Sequence, residues 1–140
     1  MANESIELMS EGLKAWNRGE GEGNEGAAEE GVFSFYLGEM RARAWLAAYP
    51  EQEGSDLATT LAMIHEVGNN PINGWAYGDP EGLAAIINRM VAHDRANPNL
   101  QIPYGVMEEV RGEYESLRDQ LLEQADEIRA ERAATGAEVR

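Results

Sequence analysis

Val32-Phe33-Ser34-Phe35-Tyr36-Leu37-Gly38-Glu39-Met40-Arg41-Ala42-Arg43-Ala44-Trp45-Leu46-Ala47-Ala48 is the most apolar stretch of the chain. Val32, Phe33, Tyr36, Leu37, Met40, Ala44, Trp45, Ala47 and Ala48 cover more than half of a helical wheel. A helix over about residues 27–49 therefore has to be surrounded by other helices. Gly31, Gly38 and Ala42 recur within it at spacings of seven and four, which would let a neighbour approach closely. Glu39 and Arg43 stand as an i,i+4 pair, and Pro50 closes the segment.

Four further helical segments follow from the same periodicity. Residues 4–17 place Ile6, Met9, Leu13 and Trp16 on one face, with Asn3 as N-cap. The glycines and glutamates after it predict an acidic loop over 19–31, because glycine carries the highest backbone-entropy cost in a helix. A third helix starts at Ser55 or Asp56, runs through Leu57, Leu61 and Ile64, and is predicted to stop at Gly68. A fourth starts at Asp79 as N-cap with Pro80 next, and buries Leu83, Ile86, Ile87, Met90 and Val91. The fifth, over 105–134, carries Met107, Val110, Tyr114, Leu117, Leu121 and Ile128 in one register that Gln124 interrupts. The expectation is one all-α domain over 1–140, a five-helix bundle with a long C-terminal helix.

Charge excludes some partners. The chain has 26 acidic and 11 basic residues, a net charge of -15, so phosphate backbones and anionic membranes are repelled. Neither direct nucleic-acid binding nor a membrane partner is expected. Ten of the eleven basic residues are arginine, and with abundant alanine and glycine this suits a high-GC bacterial or phage genome. There is no cysteine, which removes disulfides, thiolate metal sites and a thiol nucleophile. No basic start followed by an apolar run is present, and no window approaches the roughly 20 apolar residues of a membrane span, so a soluble, cytoplasmic protein is expected.

The chemical motifs fail one by one. Gly21-Glu22-Gly23-Asn24-Glu25-Gly26 has the glycine spacing of a dinucleotide loop, but it follows a helix and its glutamates would repel a pyrophosphate. Glu20, Glu22 and Asn24 imitate the start of a calcium loop, yet Glu25 and Gly31 stand where its glycine and bidentate acid belong. His65-Glu66 lacks a second histidine at Asn69, and Ala62 and Met90 replace the glutamate that a di-iron bundle needs before each histidine. His93, Asp94 and Arg95 are consecutive on a helix and point in different directions. No serine elbow or phosphate-binding Gly-Lys loop occurs. No catalytic residue, cofactor or metal is expected.

What remains is recognition. Trp75 and Tyr77 lie among turn formers at 69–79, and with Asn73 and Asp79 they are the candidate binding residues for a protein or small-molecule partner. Glu20, Glu22, Glu25, Glu29 and Glu30 form the candidate acidic surface, which in an alternative reading imitates DNA to inhibit a DNA-binding protein. Leu117, Leu121 and Ile128 are the candidate contact of a homo-oligomer, because a helix of nearly thirty residues outruns its neighbours. A phage assembly or virion component is the second alternative.

Overall fold

Two backbones in direct contact organise the chain. In the computed structural model, which describes residues 2–140, α1 (Ala2–Glu22) and α2 (Glu25–Ala48) form an antiparallel hairpin. Gly12 lies on the backbone of Gly31 and Phe35, Gly19 on that of Ala28, and Gly38 on Ser5 and Met9. The approach is so close that a Cβ on Gly31 would stand 2.3 Å from Trp16 N. The small residues of α2 thus admit a neighbour as expected, and α1 answers with Ser5, Gly12 and Gly19, one every seven residues. Asn3 lies inside α1 instead of capping it.

The acidic loop expected at 19–31 is helix on either side of a two-residue turn. Gly23, at φ +68°, donates to Glu20 O at 3.3 Å, while Asn24 N donates to Gly19 O at 2.8 Å. This is the left-handed glycine cap that ends many helices. Asn24 then caps α2, its side chain accepting from Ala27 N at 3.1 Å. Helix propensity is a weak prior, and here backbone packing of Gly19 on α2 outweighs its cost.

After a short 3-10 turn at Pro50–Gln52 come α3 (Asp56–Ala76), α4 (Pro80–Ala96), α5 (Tyr104–Glu123) and α6 (Ala125–Thr135). Ser55 caps α3 and Asp79 caps α4, each accepting from a backbone N–H at 3.2 Å. α3 does not stop at Gly68. That glycine is where the Phe35 ring packs, 2.5 Å from the position a Cβ would take. Pro71 cannot donate to the Val67 carbonyl, yet the helix continues through it because Ile72, Trp75 and Ala76 are buried beyond. The loop expected at 69–79 is therefore the last two turns of α3 and a tight corner.

α4 buries Leu83, Ile86, Ile87, Met90 and Val91 between α2 and α5, as its pattern predicts. The long C-terminal helix is instead two. Gln124, at φ -106° and ψ 14°, bends the chain, with Gln124 N bonded to Gln120 O and Ile128 N to Gln124 O, both at 2.9 Å. The bend lays α6 against the α3–α4 corner, where Arg129 binds Glu81 and Arg132 Nη2 donates to Gly74 O at 2.7 Å. The described residues hold six helices and no strand, an all-α bundle with one helix more than expected.

A chain of ion pairs crosses this core. Asp94 is fully buried, and its two carboxylate oxygens accept from Arg41 Nε and Arg111 Nε, each at 2.7 Å. Arg41 also binds Glu4 and donates to Asn97 O, tying α1, α2 and α4 together. Arg111 and Arg95 converge on Glu108, and hydrogen bonds from Arg95 first and Arg111 second lower its carboxyl to about 2. The unfolded Glu108, at the ordinary 4.5, binds a proton that the folded one refuses, so its contribution is complete above pH 4.5 and is lost as pH falls towards 2. Glu108→Gln is expected to flatten the fall of the urea midpoint across that window. An unchanged slope would remove Glu108 from the acid response.

Candidate functional site

α2 carries one carboxylate, Glu39, towards the interior with no arginine within ion-pair distance among the described residues. Glu39 sits midway along the helix with its side chain only 16% exposed. One oxygen accepts from the Tyr114 hydroxyl of α5 at 3.2 Å, and the other lies 3.1 Å from His65 Nδ1 of α3. The expected pair with Arg43 does not form. Arg43 turns away to Glu113, 2.6 Å from Nη2, and its guanidinium lies 5.3 Å from the centre of the Tyr114 ring. Tertiary partners displace the i,i+4 pair because such pairs contribute only about 0.2–0.5 kcal/mol.

Glu39 lines two hollows. Towards the N-terminal half of α3, a groove of about 690 Å³ runs between α2 and α3 over Met9, Ala42, Leu46 and Leu61, with Ala62 and Glu66 on its α3 wall. It stays open because α3 is anchored on the α1–α2 hairpin further along, where Gly68 takes the Phe35 ring. On the other side, a smaller cavity of about 190 Å³ is lined by Tyr36, Asn73, Tyr77 and Tyr114 above Leu83 and Ile87. Glu39 and Arg43 line both.

The phenols of the small cavity are proton donors. Tyr36 donates to Asn73 Oδ1, and burial pushes its phenol well above the ordinary value, helped by Tyr77, Glu39 and Tyr114. Burial and then Glu39 raise Tyr77 and Tyr114 likewise. None supplies a phenolate base at neutral pH. Among the described residues no group of three or more histidine or carboxylate side chains could hold a metal ion, and no helix is long and apolar enough to cross a membrane.

Of the residues expected to recognise a partner, Asn73 and Tyr77 reach this site and the other two do not. Trp75 is buried, with the Arg140 guanidinium 3.5 Å from its ring centre and Arg140 Nε donating to Trp75 O at 3.0 Å. Asp79 is engaged as a cap and by Arg129. In the acidic segment Glu20 and Glu22 are exposed and Glu29 is half-buried, whereas Arg140 and Arg89 pair with Glu25 and Glu30. Leu121 is buried inside the chain, and Leu117 and Ile128, the other residues assigned to self-association, are partly buried against its core. Sequence reading missed Glu39, His65, Tyr36 and Tyr114 as one group. The available signal was Glu39 itself, a carboxylate inside the most apolar helix.

The fold and site together define an all-α bundle with a carboxylate-centred pair of hollows. Comparison with family models, curated proteins and solved structures finds no match, so the site is read from its own geometry.

Proposed function

We propose that the chain is a non-catalytic binding protein that takes a small, largely apolar molecule in the groove between α2 and α3. The groove carries this reading: its volume of about 690 Å³ falls in the usual range for small-ligand sites, and an apolar lining of Met9, Ala42, Leu46, Ala58, Leu61 and Ala62 stands beside the polar Glu39, Arg43, His65, Glu66, Asn69 and Asn70. Catalysis finds less support. The phenols are held protonated, and the one histidine here, His65, is bonded to a carboxylate with no serine or cysteine nucleophile beside them. The proposal does not rest on a homo-oligomer, since Leu117, Leu121 and Ile128 contribute to the chain's own core.

Ala62 tests the groove because it is exposed on the α3 wall and supports no core contact. Nile red, a neutral dye that brightens in apolar surroundings, is expected to bind the wild type saturably. Ala62→Trp should fill the groove and weaken dye binding by about tenfold, with an unchanged circular dichroism spectrum. Equal binding by the folded variant would reject the groove as the site.

A further inference from the structure

Glu39 and Asp94 are two interior carboxylates treated in opposite ways. Asp94 is closed between two arginines. Glu39, among the described residues, has no lysine or arginine nitrogen within ion-pair distance: a phenol and an imidazole contact it directly, and Arg43 acts on it only at longer range. Taking a carboxylate out of water without a partner costs several kcal/mol, and an ionised carboxylate offers about four acceptor positions, of which two are used. Glu39 lines both hollows. Beside it the Tyr77 hydroxyl makes no hydrogen bond among the described residues, although its residue is half-buried on the cavity wall.

We infer that the missing cation comes with the ligand: the site takes an alkylammonium, a protonated amine on a hydrocarbon body. The ammonium occupies the small cavity, donating to Glu39 and the Tyr77 hydroxyl, while the hydrocarbon lies along Met9, Leu46 and Leu61 in the groove. Three features match this division. Glu39 lines both hollows, so a group in either one lies beside its side chain. The cavity of about 190 Å³ has room for a charged head. The groove wall carries Glu66, a second carboxylate that forms no ion pair among the described residues, so the approach favours a cation. Arg43 is the resident competitor. It already lies over Tyr114, and its charge opposes a second cation nearby.

The inference rests on the groove being a binding site, and calorimetry separates the two. The full chain is titrated at neutral pH with hexylammonium chloride and with 1-hexanol, which keeps the tail and loses the charge. Hexylammonium is expected to bind at least about tenfold more tightly than hexanol, because charge-assisted hydrogen bonds are roughly twice as strong as neutral ones. Glu39→Gln should abolish that preference, Tyr77→Phe should weaken hexylammonium several-fold, and Arg43→Gln should strengthen it. Tyr77→Phe removes a hydroxyl without a hydrogen-bond partner among the described residues, so it keeps the test valid even if Glu39→Gln unfolds. Equal binding of both probes, unaffected by Tyr77→Phe, would overturn the ammonium assignment and leave the groove standing. Absence of hexylammonium binding overturns it as well, and the groove is then judged by the Ala62→Trp result alone.

Discussion

Gly31→Ala is expected to destabilise the protein by about 3 kcal/mol or more, whereas Gly112→Ala, the same change in another helix, is expected to stabilise it by about 1 kcal/mol. The intrinsic gain is equal at both positions, since alanine loses less backbone entropy than glycine in a helix. The surroundings decide the sign. A Cβ at Gly31 would meet Trp16 N at 2.3 Å, Gly12 O at 2.6 Å and Trp16 Cα at 2.7 Å, all backbone atoms that no rotamer change can move. The α1–α2 hairpin would have to open along its whole length, loosening Phe35, Met9 and Met40 beneath it. A Cβ at Gly112 meets nothing within 4 Å. Urea unfolding followed by tryptophan fluorescence measures both variants. A Gly31→Ala protein as stable as the wild type would show that the hairpin is not packed backbone to backbone.

Asp94→Asn is expected to cost about 3–5 kcal/mol with almost no change in side-chain volume. The loss comes from what is left behind: Arg41 and Arg111, 5% and 2% exposed, keep their charges but lose the carboxylate between them. Glu4 and Glu108, at the outer ends of the same network, moderate the loss without replacing Asp94. Replacing all three by apolar residues, Arg41→Met, Asp94→Leu and Arg111→Met, should recover most of the stability, because an apolar core spares three charges their desolvation. If Asp94→Asn unfolds at the wild-type urea concentration, the triad is not the clamp that joins α2, α4 and α5.

Local chemistry wrote much of the fold into the sequence. α4 could be read almost completely, since its cap at Asp79, its first-turn Pro80 and its apolar stripe all lie within one short segment. The apolar wheel of α2 announced a central helix, and Gly31 and Gly38 announced a close neighbour. The glycine-rich end of α1 misled for an equally local reason: four glycines in eight residues read as a loop unless one knows that Gly19 rests on Ala28. Gly68 and Gln124 misled in the same way, one a stop signal turned into a seat for Phe35, the other a seam residue turned into a bend. The site lay further out of reach. Glu39 meets His65 and Tyr114, which are 26 and 75 positions away, and Asp94 meets Arg41 across 53. Helix periodicity and capping depend on neighbours within a turn or two, so the sequence by itself determined where most helices run and which faces they bury. Which carboxylate is closed between arginines and which is left facing a cavity depends on how helices distant in sequence pack together, and only the tertiary structure decided that.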